Sequence, residues 1–254
     1  MQLPAYVINL DSRPDRWASI SENLQQVGAD AERISAIDAD LLGDVATWRI
    51  DRGAAACTFS HGKALRRFLE TDRPAALILE DDTELASDTG LLLRDKDWWP
   101  ARTQAIQLHE QIGRPGRLRG VSGRTPSGRD LRRAEHWAGC AAAYLIDREG
   151  ASAALSVIED PPHPIDHILF DLRESRTARC FRPVQIVPAM AQQRYGVEDS
   201  DLENWRREAR AKRDAVSRLR RLYRNLRRMP YGARLGGLSA LGKVHSMEVS
   251  YSDG

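Results

Sequence analysis

The stretch Ala75-Ala76-Leu77-Ile78-Leu79-Glu80-Asp81-Asp82-Thr83-Glu84 decides the fold. Its apolar run has no helical period and ends in three consecutive acids, which predicts a buried strand of a largely parallel sheet. Acids at the carboxyl end of such a strand lie where open α/β sheets place their ligands. Adjacent carboxylates repel one another, and a divalent cation held by oxygen ligands relieves that repulsion. A solvated turn after the strand is the plainer alternative. Glu80 and Asp82 are two apart and project to one side of an extended segment, with Asp81 on the other.

Working outward, Tyr6–Leu10 is a first strand, and Pro14 suits the first turn of a helix that runs to Gln26 and stops at Gly28. Trp17, Ile20, Leu24 and Val27 mark one face of that helix. Ala31–Ile37 is expected as a second strand, Phe59–Leu69 as a helix, and Pro74 as the break before the acidic strand. Alternating strands and helices predict an α/β fold with a mostly parallel sheet flanked by helices. Ala105–Leu108, Ala141–Ile146 and Val184–Val187 are further strands, with helices over Arg148–Ile158 and Ile165–Leu172. Gly113–Arg133 is rich in Gly, Ser, Pro and Arg and is expected as a long loop. It is either simply solvated or a lid that contacts phosphate or substrate.

The 254 residues fit one large domain with an extension: 1–200 as the body and 201–254 as a basic helical C-terminal segment. The net charge of +2 conceals an asymmetry, because residues 204–234 carry +10 and residues 1–203 carry −7. From Asp201 a helix is expected, with Val216, Leu219, Leu222, Tyr223, Leu226 and Met229 as its apolar stripe and Pro230 and Gly232 as its end. A cationic helix with such a stripe suits an anionic membrane surface, or packs on the body with its arginines in solvent. No aromatic interleaving points to nucleic acid, and none is expected as a partner. Three widely spaced cysteines, Cys57, Cys140 and Cys180, give neither a zinc pattern nor a disulfide framework. With no signal-like start and no spanning apolar run, a cytoplasmic location is expected, peripheral on the inner membrane face if the basic segment binds lipid.

Five elements in order resemble glycosyltransferase family 25, the lipooligosaccharide and lipopolysaccharide biosynthesis transferases. They are Val7-Ile8-Asn9-Leu10-Asp11-Ser12-Arg13-Pro14-Asp15-Arg16, then Cys57-Thr58-Phe59-Ser60-His61, Leu77 to Asp82, Gly139 through Tyr144-Leu145-Ile146 to Gly150-Ala151, and Pro164-Ile165-Asp166. Ala56 departs from the family's usual Gly. The basic segment lies outside the shared region, and with the loop it bears on which acceptor is used.

The resemblance implies a GT-A-like (Rossmann-like) fold and inverting transfer of a sugar, galactose foremost, from a UDP-sugar to a glycolipid or oligosaccharide acceptor. It implies Mn²⁺ or Mg²⁺ as cofactor, with Asp82 as direct ligand and Glu80 at the metal or the donor ribose. Oxygen ligands suit either ion; among the histidines, His245 and His163 are open as a completing ligand. Asn9, Arg13 and Arg16 follow the first strand, where a helix N-terminus and arginines favour phosphate; an Arg13–Asp15 surface pair is the alternative. Asp38, Ser60, His61 and Lys63 join the implied donor set, with capping or packing as their structural alternatives. Inversion needs a general base. Asp166 is the candidate, with Asp171 and Glu110 as alternatives, and Asp81 is grouped with it as catalytic. The competing readings are a metal-dependent phosphohydrolase built on the same acids, and a non-catalytic membrane- or nucleic-acid-binding module using the Arg-rich segment.

Overall fold

Residues 2–42, 50–110, 115–136, 139–158, 163–194 and 231–254 are described by the structure, a computed structural model. Strand β1 (Ala5–Asn9) is buried along its whole length between β2 (Ala31–Ser35) and β3 (Ala75–Glu80), both parallel to it. Helix α1 (Pro14–Gln26) connects β1 to β2, starting at Pro14 as expected, and α2 (Arg52–Leu69) leads from β2 to β3. After β3 come β4 (Thr83–Leu85), α3 (Thr89–Leu92), β5 (Ala105–Gln107), β6 (Gly116–Arg124), β7 (Asp130–Ala134) and β8 (Ala143–Asp147). Next follow α4 (Arg148–Ile158), α5 (Ile165–Phe170), α6 (Arg176–Phe181), β9 (Val184–Val187), β10 (Ala191–Gln193) and β11 (His245–Met247).

Among the described residues, nine strands form one sheet in the order β11-β6-β7-β9-β5-β8-β3-β1-β2, and β4 pairs with β10 in a small second sheet. The fold is α/β with helices on both faces of the large sheet. Pairing is parallel from β2 through β1 to β3 and between β5 and β9, and antiparallel at the other steps. Side-chain alternation divides the core. Val7, Leu77, Leu79, Ile106 and Leu145 pack with Ile20 and Leu24 of α1 on one face. Tyr6, Ile78, Tyr144 and Ile146 pack with Leu65 and Phe68 of α2 and with α4 and α5 on the other. The α1–α3 approach is close enough that a Cβ on Gly90 would sit 2.0 Å from the Val27 carbonyl oxygen.

Four expectations are corrected. Helix α2 starts at Arg52 rather than Phe59, because Asp51 caps it by accepting from the Ala54 amide at 2.9 Å. The expected loop 113–133 contains the β6–β7 hairpin, turning at Gly128 with φ of +89°. Strand β6 leaves most of its side chains in or near solvent, so no apolar alternation announces it. A helix occupies 231–240 and runs through Gly232, which therefore does not end a helix. The chain's end is extended rather than helical, and β11 pairs with β6. The remainder of the expected basic helix, 201–230, lies outside the described residues. Among the described residues no helix is long and apolar enough to cross a membrane.

The hairpin's arginines are largely ion-paired. Arg119 meets Glu135, Arg132 meets Asp130, and the buried Arg129 makes a bidentate pair with Asp88 at 2.7 and 2.8 Å. Arg129 also donates to the carbonyls of Ala189 and Ser252 at 3.0 and 2.9 Å. Removing one member of a buried pair strands the other charge. Arg129→Leu is therefore expected to cost about 3–5 kcal/mol, read as a lowered urea midpoint. Arg129→Lys should restore little of it, since an ammonium cannot reproduce the planar fork.

Candidate functional site

The carboxyl ends of β1, β3 and β5 and the entry to β8 share one edge of the sheet, and the acids of the β3 motif divide around it. Asp81 turns to the α1 face, where Asn9 Nδ2 donates to its Oδ2 at 2.6 Å and Arg16 pairs with Oδ1 at 3.5 Å. Burial raises its pKa, opposed by Asn9 and Arg16. Asn9 is itself held, donating to the Arg13 carbonyl at 2.9 Å and accepting from Arg33 Nε at 2.7 Å. Asp81 and Arg16, grouped in the sequence with the catalytic and donor residues, thus meet one another in a buried position on the α1 face. Arg13 stays nearer the surface, paired with Asp15 at 3.0 Å.

Glu80 turns to the α2 face. Its Oε1 accepts from His61 Nε2 at 3.3 Å and from Cys57 Sγ at 3.7 Å. Ligand atoms of Cys57, His61 and Glu80 lie within 4.8 Å of one another, a closeness these two hydrogen bonds account for. His61 Nδ1 lies 3.0 Å from the Tyr144 hydroxyl. Burial holds that phenol well above its ordinary pKa, so it stays protonated and donates. Burial also acts to raise Glu80, but the hydrogen bond from His61, with that from Cys57 behind it, brings it below its usual value.

Asp82 follows at the turn into β4. Its Oδ2 accepts from Gln193 Nε2 at 2.8 Å, and its backbone oxygen accepts from the Arg194 amide at 2.7 Å. Its Oδ1 is buried and has no hydrogen-bond partner. Burial and the charges of Glu80 and Asp81 push its pKa up to about 7. The metal-free folded protein thus binds a proton that the unfolded chain has released, so stability falls as pH rises from about 4 to about 7. The fall should be on the order of 1–3 kcal/mol, one pKa unit being about 1.4 kcal/mol, with solvent at the partly exposed residue discounting the rest. Thermal melts across that window test it: the slope should flatten in Asp82→Asn and persist in Asp38→Asn.

The other expected donor residues contact backbone. Ser60 lies in mid-helix rather than at a helix start, donating to the Ala56 carbonyl at 2.7 Å and accepting from the Ile37 amide at 2.8 Å. Lys63 donates to the Ser35 carbonyl, and Asp38 caps the short 3-10 turn Ala39–Leu41. Asp166 enters at the first turn of α5. Its carboxylate accepts from the His167 amide at 2.9 Å and the Cys140 amide at 3.5 Å. Cys140 has φ of +80°, a conformation uncommon for a residue with a side chain. Burial first, then the charges of Glu80, Asp82 and Asp166, hold its thiol well above the usual value. Asp171 is fully buried against Arg173 and His167 and drops out as a base. Glu110 Oε2 accepts from the Tyr251 amide at 3.3 Å.

Sequence reasoning passed over Arg33, Gln193 and His109. Gln193 lies on β10, which pairs with β4, and His109 follows β5, which pairs with β8 and β9, so no local spacing marks either. Arg33 alternates outward on a strand already recognised, which was the available signal.

The family model for glycosyltransferase family 25 (LPS biosynthesis protein) matches residues 2–169. No curated protein matches the chain. Among solved structures, the chain is similar to a glycosyltransferase involved in the glycosylation of the major capsid of PBCV-1. That likeness has 8% identity, covers 83% of this chain and 100% of the other, and has a TM-score of 0.47. A second likeness is to mannose-1-phosphate geranyltransferase from Thermus thermophilus, with 11% identity, 84% and 80% coverage and a TM-score of 0.37.

Proposed function

Because the chain belongs to glycosyltransferase family 25, we propose that it moves a sugar, galactose foremost, from a UDP-sugar to an oligosaccharide or glycolipid acceptor with inversion and with a divalent cation. The observation that carries this reading is the buried, partnerless Oδ1 of Asp82 beside Glu80 at the ligand-binding edge of the sheet. An unsatisfied carboxylate oxygen next to further negative charge fits a hard cation such as Mn²⁺ or Mg²⁺. Asp82 and Glu80 would hold it. When bound, the ion supplies charge neutralisation for the departing diphosphate.

The remaining steps belong to the chain's own residues. Arg13 exchanges its exposed pair with Asp15 for the donor's phosphate, which rewards its planar fork. His61, backed by Tyr144, keeps Glu80 ionised and oriented. Ser60 and Lys63 fix α2 against the end of β2, so that Cys57 and His61 meet Glu80 at a constant distance. Asp166 takes the proton from the acceptor hydroxyl as its oxygen attacks the anomeric carbon and the bond to the diphosphate breaks. The amides of His167 and Cys140 hold that carboxylate in place.

A panel of nucleotide-sugars scored by thermal shift, with and without Mn²⁺, tests the reading. UDP-sugars should raise the melting temperature only when Mn²⁺ is present, and guanosine and cytidine sugars should not. Equal responses across bases, or uridine stabilisation indifferent to metal, would rule the proposal out.

A further inference from the structure

We infer that His163, His167 and Glu174 form a second cation site, made of residues other than the β3 acids, that takes Zn²⁺ through two imidazole nitrogens and one carboxylate oxygen. A ligand atom from each of the three lies within 4.8 Å of the other two, and neither Glu80 nor Asp82 belongs to the group. The rings of His163 and His167 are stacked, with centroids 6.1 Å apart and planes at 16°. Around a tetrahedral Zn²⁺ with bonds of about 2.0–2.1 Å, ligand atoms stand about 3.3 Å apart, a separation that side-chain rotation reaches from here. His163, open in the sequence as a further ligand of the β3 acids, is gathered with His167 and Glu174 instead. The inference does not depend on the sugar or the cation proposed above.

The main chain brings the three together and holds them. His163 stands one residue ahead of Pro164, the cap of α5, and the i, i+4 spacing sets its ring beside that of His167. The Ile168 amide donates to the Pro164 carbonyl at 3.0 Å, and Ile165, Ile168, Leu169 and Phe170 anchor α5 in the core. Past the end of α5, the fully buried Asp171 accepts from the amides of Arg173 and Glu174 at 2.9 and 3.4 Å. These contacts turn the chain so that Glu174 comes back to the two histidines. Asp171 Oδ2 also stands 3.5 Å from His167 Nδ1, and a buried carboxylate behind an imidazole orients it for a metal. Arg173, 3.3 Å from Asp171, offsets that charge, so Glu174 supplies the anionic ligand. All three ligands are half-buried, which leaves room for water at a fourth position. Two nitrogens and one oxygen suit Zn²⁺ rather than Mg²⁺ or Ca²⁺. The ion ties the approach to α5 to the turn beyond it, around the helix that carries Asp166.

Calorimetric titration of the tag-free protein with Zn²⁺, in the absence of UDP, tests the site. Binding should persist in Asp82→Asn and weaken at least about tenfold in His163→Ala and in Glu174→Gln. In the unmodified protein labelled with ¹⁵N at histidine, two of the six histidines should shift their ring-nitrogen resonances when Zn²⁺ is added. That measurement decides the question even if a variant folds poorly. Co²⁺ in place of Zn²⁺ should give no thiolate charge-transfer band. Absence of Zn²⁺ binding overturns the inference, as do shifts at fewer than two histidines. Binding that is lost in Asp82→Asn and kept in His163→Ala moves the ion to the β3 acids, and a thiolate band moves it to Cys57; either result overturns the inference. Failure of Mn²⁺ to support UDP binding overturns the transfer reading and leaves this site standing.

Discussion

Asp82→Asn is expected to lower Mn²⁺-dependent sugar transfer by about 10²–10⁴-fold in kcat, several kcal/mol of charge stabilisation at the leaving group being lost. The substitution keeps the size and one acceptor oxygen, so the contact from Gln193 has a replacement and the turn into β4 should persist. It also removes the charge that burial and the neighbouring Glu80 and Asp81 make costly. The metal-free variant should accordingly melt no lower than the parent at pH 8, and it should no longer gain stability when Mn²⁺ is added. That combination separates a ligand from a structural carboxylate, whose loss would lower both activity and melting temperature. A variant that still responds to Mn²⁺ with parental affinity would move the ligand to another residue.

Asp166→Asn should reduce kcat by about 10²–10⁴-fold, the usual contribution of a general base. UDP affinity in the presence of Mn²⁺ should be unchanged. The amide retains an oxygen to accept from the His167 and Cys140 amides, so a loss of folding would not explain the result. What it cannot do is accept the acceptor's proton. The separation of effects is the informative part, because kcat falls while donor binding holds. Parental turnover in this variant would eliminate Asp166 and leave Glu110 as the next carboxylate on the same edge, Asp171 being sealed behind Arg173 and His167.

Much of this arrangement was legible in the residues. The run Ala75–Glu80 announced its strand because a segment buried on both faces must be apolar throughout, and the acids mark where it ends. Pro14 and Gly28 framed α1 for local reasons of backbone geometry. What stayed hidden depended on partners distant in sequence. The β6–β7 hairpin keeps its place through Arg129 reaching Asp88, and composition alone casts such an arginine as solvated. The beginning of α2 was disguised by its small residues Gly53 to Ala56, which carry no amphipathic period, although Asp51 was an available cap. At the site, the i, i+2 rule placed Glu80 and Asp82 apart from Asp81. It could not show that Asn9 and Arg16 would contact Asp81, because that depends on how β1, α1 and β3 meet.

The pairing of β11 with β6 bears on how the molecule is made. Ser87 and Asp253 hydrogen-bond across 166 residues, and Arg129 waits for the carbonyl of Ser252. While the ribosome is still synthesising the basic stretch, the nascent chain displays β6 as a bare sheet border, a surface that invites pairing with other chains. Contacts so remote also slow maturation. Removing residues 243–254 would leave every carboxylate of the β3 motif in the sequence, yet strip β6 of its outer neighbour.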